Sequence, residues 1–146
     1  MIAKKSIIPF TFLGFFLSGT LSAQNVDSAK NEQRVRDYVA AFNEQDVDGM
    51  LEMVTSEVQW IYITGDKLAV EASGKPALRK SLTGYFKAAP KVTSKLEWIK
   101  VTTSRVAALE RVSWTTKEGN RSQSSLSVYE FKDGKIHRVY YYPSER

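Results

Sequence analysis

Hydrophobic residues recur every three or four positions between residues 35 and 54, and this period predicts two consecutive helices. The apolar positions of the first helix follow the spacing of one helix face: Val35, Tyr38, Val39 and Phe42. After a polar break at residues 43–46, the same spacing returns at Val47, Met50, Leu51 and Val54. Both apolar faces are therefore expected to pack against one core.

A third helix is predicted between two prolines. Pro76 suits the first turn of a helix, where its missing N–H is not needed, and Pro90 ends the pattern. The stripe of this helix expected to be buried comprises Leu78, Leu82, Tyr85 and Phe86.

Alternation with a period of two predicts strands in the rest of the chain. The first strand alternates Val58, Trp60 and Tyr62 with Gln59, Ile61 and Ile63, and a loop is predicted from Thr64 to Lys75. Turn-forming residues separate four longer predicted strands at 92–103, 105–117, 121–132 and 135–142. Three helices and a run of antiparallel strands predict an α+β fold in which a curved sheet wraps around the helices.

The first 23 residues have the layout of a secretory signal peptide. Lys4 and Lys5 precede an apolar run at residues 7–17, which is too short for an ordinary membrane span, and the segment ends in Leu21-Ser22-Ala23. Cleavage after Ala23 is expected to leave one domain at residues 24–146, exported to a periplasm or secreted and not attached to a membrane. The chain has no cysteine, so neither a disulfide nor a lipid anchor on cysteine is expected.

Charge and composition exclude several classes of function. The formal net charge of +5 falls to +3 without Lys4 and Lys5, and the remaining charges are scattered, so no nucleic-acid partner is expected. One histidine and no cysteine give no cluster of metal ligands, and neither a metal site nor a cofactor is predicted. The many serines have no second histidine or strained turn to activate them as nucleophiles.

Several short motifs, in this order and spacing, resemble the nuclear transport factor 2-like superfamily, near its SnoaL-like and ketosteroid-isomerase-like branches. They are VRDYVAAFN at 35–43 with DVDG at 46–49, GKPAL at 74–78 and YEFKDGKI at 129–136. The resemblance implies a cone-shaped roll, with three N-terminal helices in the concave face of a curved, mostly antiparallel sheet. It also implies a deep pocket for a small molecule and a homodimer packed through the sheet.

Laid on the ketosteroid isomerase pattern, the chain keeps one of three site groups. Tyr38 matches the tyrosine that donates to the oxyanion, while Tyr62 falls at the position of the aspartate base and Ser127 at that of the second donor. Without that base the resemblance does not predict ketosteroid isomerase activity.

Glu110 is the carboxylate that could replace the missing base. It shares a strand face with Val106, Ala108, Val112 and Trp114, and the family pattern turns that face inward. Apolar surroundings would disfavour its charged form and suit it to act as an acid or base. Alternatively Glu110 lies near a sheet edge or pairs with Arg138, and a slip of one residue would put Arg111 inside instead.

His137, the only histidine, is a second candidate for proton transfer. It lines the pocket if His137, Val139 and Tyr141 face inward, and it lies outside if Ile136, Arg138, Tyr140 and Tyr142 do.

Aromatic residues are the clearest chemical feature beyond the fold. Rings in a pocket suit a flat or hydrophobic ligand, although many rings only fill a core. The residues expected to contact a ligand are Trp60, Trp98, Trp114, Tyr129 and Tyr141, with Ser127 in a polar strip along the same strand as Tyr129. Two hypotheses follow: a domain that binds a hydrophobic or aromatic small molecule, and a cofactor-free acid–base enzyme that uses Glu110 with Tyr38 and Tyr62.

Overall fold

A computed structural model describes residues 20–143, with side chains described from residue 27 onward. Within these residues the elements are α1 (Thr20–Glu44), α2 (Val47–Glu52), β1 (Val54–Thr64), β2 (Lys67–Ser73), α3 (Lys75–Ala88), β3 (Thr93–Val101), β4 (Arg105–Thr116), β5 (Gly119–Lys132) and β6 (Lys135–Pro143). The predicted α+β fold is confirmed.

The strands form one six-stranded sheet in the order β2-β1-β6-β5-β4-β3. Every neighbouring pair is antiparallel except β1 and β6, which are parallel, so the sheet is mostly antiparallel as predicted. The curved sheet wraps around the helices, and the longest strands, β4 and β5, pair without a break in register from Arg105 to Thr116. This regular pair carries much of the cavity wall described below.

The hydrophobic core lies between the helices and the concave face of the sheet. Its fully buried members come from both layers: Val35, Met50, Leu78 and Leu82 from the helices, and Val58, Val106, Tyr129 and Ile136 from the strands. Burial of apolar surface is the main stabilising contribution in a domain without disulfides.

The prediction of a loop from Thr64 to Lys75 is wrong, because most of this segment forms β2. A tight turn at Gly65, with φ 59°, reverses the chain so that Thr64 pairs with Lys67. Only Ala72 is buried in this edge strand, so β2 lacks the apolar alternation that identifies a strand in sequence.

The predicted signal peptide lies mostly outside the described residues. α1 begins at Thr20, so only its last four residues are included, and cleavage after Ala23 stays a prediction. Among the described residues, no helix is long and apolar enough to cross a membrane.

Candidate functional site

A cavity of about 160 Å³ opens between the concave face of the sheet and helices α1 and α3. Its lining is Tyr38, Val39, Phe42, Trp60, Tyr62, Glu71, Ser81, Tyr85, Ser94, Glu110, Val112, Ser125, Tyr129 and Tyr141. An outer hollow of about 320 Å³ shares Tyr62, Tyr85, Val112 and Ser125 with it. The arrangement provides an inner chamber with an aromatic mouth.

Glu110 forms part of the inner wall. The alternation of β4 turns Val106, Ala108 and Glu110 inward, and Glu110 is only 4% exposed. Its Oε1 atom accepts hydrogen bonds from the hydroxyls of Ser127 and Tyr129, both at 2.5 Å. Its Oε2 atom accepts one longer bond, 3.2 Å, from Ser94. Oε2 therefore has the greater capacity left for a further partner.

Burial sets the electrostatics of Glu110. Removal from water raises the pKa of its carboxyl above the ordinary value, and the hydrogen bonds from Ser127, Tyr129 and Ser94 only partly oppose this. The alternative pairing with Arg138 is wrong, since that side chain bonds Gln59 at 3.1 Å and Glu130 at 3.5 Å. Within residues 27–143, no Lys, Arg or His forms an ion pair with Glu110.

The hydroxyls around Glu110 form an ordered series. A hydrogen bond between Tyr141 and Tyr129 raises the pKa of Tyr141 and lowers that of Tyr129, although burial is the largest cause of shift for each and raises both. Tyr129 in turn donates to Glu110. Tyr38 also lines the cavity, and burial followed by the charge of Glu110 raises its pKa.

Trp60, Tyr62 and Tyr141 make one aromatic wall. The ring centroids of Trp60 and Tyr141 are 5.5 Å apart, and Tyr62 stacks on Tyr141 at 5.6 Å. The indole Nε1 of Trp60 is the one buried side-chain nitrogen or oxygen among the described residues without a hydrogen-bond partner. A buried donor without a partner costs free energy, about 1–3 kcal/mol. Ligand binding would relieve this cost if it supplied an acceptor.

Trp98 lies outside the cavity, contrary to the prediction. A register shift in β3 pairs Leu96 with Glu110 but Trp98 with Leu109, so Glu97 is an extra residue and the alternation reverses after it. Trp98 consequently points to the convex face and is 43% exposed.

His137 also lies outside the cavity lining, and neither predicted inward set is right. β5 and β6 shift register so that Glu130 pairs with Arg138 and Phe131 with Ile136, which leaves His137 as the extra residue. Ile136 and Val139 are both buried as a result, and His137 Nδ1 lies 2.9 Å from the hydroxyl of Thr55.

Two other residues that were expected to contact a ligand, Trp114 and Ser127, do not line the inner cavity. Trp114 lines the outer hollow but not the inner cavity, and Ser127 is buried behind Glu110 without lining the cavity. Ser94 and Glu71 line it but are missing from the sequence-based prediction. Ser94 is a polar residue at an inward position of β3, which was a usable signal, whereas Glu71 lies in the strand that the sequence pattern does not reveal.

The part of the chain that the structure describes offers no dense cluster of metal ligands beside this site. Among the described residues, no group of three or more His, Cys, Asp or Glu side chains could hold a metal ion. The chemistry available in the cavity is proton transfer and hydrogen bonding by carboxyl, hydroxyl and indole groups.

Comparisons with known proteins agree with this architecture. A family model described as a SnoaL-like domain matches residues 35–139. No curated protein matches the chain significantly.

Solved structures match at low sequence identity, which shows the fold alone. Bal32a, from a soil-derived mobile gene cassette, has a TM-score of 0.72 at 18% identity, with 82% of this chain and 92% of that one covered. SalBIII, described as an epoxide hydrolase/cyclase-like enzyme in pyran ring formation in salinomycin, has a TM-score of 0.69 at 21% identity, covering 81% and 93%. TerC, co-crystallised with polyporic acid, has a TM-score of 0.68 at 17% identity, covering 79% and 92%.

Proposed function

Since this chain belongs to the SnoaL-like domain family and has a nuclear transport factor 2-like fold, we propose that its cavity binds a small, mainly apolar molecule and that Glu110 moves a proton on it. The reaction needs no cofactor. The observation that carries the proposal is the burial of the Glu110 carboxyl in the cavity wall with no cation beside it.

The volume of the inner chamber limits the ligand to about one ring. A cavity of about 150 Å³ lined by apolar side chains holds benzene, and this chamber measures about 160 Å³. A steroid would have to extend through the mouth formed by Tyr62 and Tyr85 into the outer hollow. One-ring compounds are therefore the better first probes.

Three groups have complementary roles in a proton transfer. The charged form of Glu110 accepts a proton at Oε2, which has only the 3.2 Å bond from Ser94. Trp60 Nε1 has no hydrogen-bond partner among the described residues, and the Tyr38 hydroxyl lines the same cavity, so both can donate to an oxygen that gains negative charge. Tyr62 lines the mouth of the same cavity and forms no hydrogen bond with Glu110, so its part is contact with the ligand.

SalBIII, which has a similar fold, is described as an epoxide hydrolase/cyclase-like enzyme, and this description supports an enzymatic use of the cavity. We also propose export, on the strength of the predicted signal peptide alone.

The test uses purified protein and a panel of one-ring ketones, phenols and epoxides. Ligands that enter should quench tryptophan fluorescence in the wild type and in the Trp98→Phe variant, but much less in Trp60→Phe, because Trp98 lies outside the cavity. A compound that the wild type converts should still bind to Glu110→Gln while its turnover falls at least about 100-fold, the usual scale for a general acid–base group. Equal turnover by the two proteins would exclude Glu110 as the proton carrier, and binding without turnover by either would leave a binding domain.

A further inference from the structure

The cavity lining is acidic. Glu110 on the inner wall and Glu71 on β2 both line it, and the described lining contains no Lys, Arg or His. Neither carboxylate takes part in an ion pair within residues 27–143. Glu110 is buried, and proteins normally pair a buried charge with an opposite one. Here the protein supplies hydroxyl donors to Glu110 but no positive charge.

The basic side chains of the neighbouring strands are engaged elsewhere. Arg111, next to Glu110 in sequence, points to the other face of β4 and bonds Glu97 at 2.7 Å. Arg138 pairs with Glu130. The net positive charge of the chain therefore does not neutralise the cavity.

Both carboxylates interact electrostatically with Tyr62 of the aromatic wall. The pKa of Tyr62 is raised first by burial, then by Tyr85 and by the charges of Glu71 and Glu110. Tyr62 is thus within electrostatic reach of both carboxylates and stacks on Tyr141, whose ring contacts Trp60. The negative faces of such rings attract cations, and aromatic cages are a known means of recognising ammonium groups.

The rings surround the cavity on several sides. Those that line it are Tyr38, Phe42, Trp60, Tyr62, Tyr85, Tyr129 and Tyr141. A bare metal ion is usually held by several carboxylate, imidazole or thiolate ligands, and the described residues contain no group of three or more His, Cys, Asp or Glu side chains that could hold one. An organic cation needs only aromatic faces and a nearby negative charge, which this cavity has.

We propose that the cavity selects a small organic cation of the alkylammonium class, with the aromatic wall of Trp60, Tyr62 and Tyr141 facing the charged group and Glu71 and Glu110 supplying the counter-charge. This rests on the proposed function, because it names the class of ligand for the same cavity. A ligand of this class supplies the positive charge that the described cavity lining lacks beside Glu110. Anionic ligands are disfavoured for the same reason.

The experiment compares two probes of the same shape that differ in charge. Choline and 3,3-dimethylbutan-1-ol have the same branched head and hydroxyl, with a positively charged nitrogen in one and a carbon in the other. Their dissociation constants are measured by calorimetry at constant ionic strength, on the wild type and on Glu71→Gln, Glu110→Gln and Glu52→Gln. The exposed Glu52 lies outside the cavity lining and serves as the charge-matched control.

Choline should bind the wild type at least about tenfold more tightly than the neutral isostere, which is about 1.4 kcal/mol. The preference should fall in Glu71→Gln and in Glu110→Gln and stay unchanged in Glu52→Gln. Because Glu71 is exposed, its variant is expected to fold even if Glu110→Gln does not.

Three results would overturn the inference. Equal or tighter binding of the neutral isostere would show that charge is not recognised. If neither probe binds but a neutral one-ring ketone or phenol does, the cation inference fails and the proposed function remains. If no compound of either set binds, both fail.

Discussion

The hydroxyl of Tyr129 on β5 donates a 2.5 Å hydrogen bond to Oε1 of Glu110 on β4. This bond favours the charged carboxylate, whereas the burial of Glu110 disfavours it more strongly, so the pKa of the carboxyl is raised overall. Tyr129 itself is fully buried in the regular pairing of β4 with β5. It is therefore a positioning residue that tunes the titration of Glu110.

Replacement of Tyr129 by Phe should raise the pKa of Glu110 further. The change removes one donor to Oε1 and leaves the burial of the carboxyl in place, so the neutral form gains. The loss of one hydrogen bond to a buried carboxylate is expected to cost about 1–3 kcal/mol of stability. Carbon-13 NMR titration of the glutamate carboxyls, with Glu110→Gln to assign the signal, measures the shift.

Tyr140→Phe is the matched control for this prediction. The Tyr140 hydroxyl lies 3.4 Å from Glu130, on the face of the sheet opposite the cavity, so its removal should leave the titration of Glu110 unchanged. A pKa of Glu110 that stays constant or falls in Tyr129→Phe would refute the tuning role.

The raised pKa of Glu110 also predicts how stability depends on pH. In the window between the ordinary carboxyl pKa of 4.5 and the higher value in the folded state, the folded protein binds more protons than the unfolded chain. The contribution of Glu110 to the free energy of unfolding is therefore complete below that window and is lost as the pH rises through the folded pKa. The wild type should lose stability relative to Glu110→Gln over this range.

Urea unfolding of the two proteins at a series of pH values measures this difference, in which the other titrating groups largely cancel. The difference in unfolding free energy should change in one direction across the window and be flat above it. A difference that is independent of pH would mean that Glu110 titrates alike in the folded and unfolded states.

The chain reveals most of the fold because the helix faces and the regular strands depend on local periodicity. The same alternation places Glu110 inward, since β4 and β5 pair without interruption. The sequence pattern misplaces Trp98 and gives two inward sets for the strand of His137 that are both wrong, because a β-bulge adds one residue to β3 and to β6 and the pattern shows no sign of either. Glu71 was missed because an exposed edge strand does not need apolar alternation.

The structure explains the DVDG motif at 46–49 by a helix cap, which the sequence analysis does not predict. Asp46 caps α2, and its Oδ1 accepts a 2.9 Å hydrogen bond from the backbone N–H of Gly49. A Cβ at position 49 would lie only 2.2 Å from Oδ2 of Asp46. A side chain at position 49 would therefore displace the Asp46 carboxylate from its capping position.

Two variants of glycines within helices test this relationship. Gly84→Ala on α3, where a Cβ meets nothing within 4 Å, should stabilise the protein by about 0.5–1 kcal/mol. Gly49→Ala should stabilise the protein by about 1 kcal/mol less than Gly84→Ala does, because the displaced Asp46 no longer caps the helix. In an Asp46→Ala background the penalty should vanish, and chemical unfolding of the wild type, the three single variants and the Asp46→Ala/Gly49→Ala double variant measures it. Equal effects of Gly49→Ala in both backgrounds would show that the cap does not depend on Gly49.

A row of apolar side chains crosses the convex face of the sheet, opposite the cavity. Trp98 pairs with Leu109, Leu109 with Leu126 and Leu126 with Tyr142, so the row is continuous over four strands. Trp98, Leu126 and Tyr142 are each about two-fifths exposed: 43%, 41% and 39%. Exposed apolar surface of this kind is typical of an interaction site. We propose that it forms the homodimer interface expected from the family resemblance.

Leu126→Glu should separate the two protomers, because it places a charge at the centre of this row. Sedimentation velocity at micromolar concentration should show a dimer for the wild type and a monomer for the variant. Leu68→Glu, on the exposed edge strand β2 and outside the row, should remain dimeric. Since Leu126 points away from the cavity, ligand binding should persist in the monomeric variant. A wild type that sediments as a monomer, or a dimer that survives Leu126→Glu, would show that the apolar row is not the dimer interface.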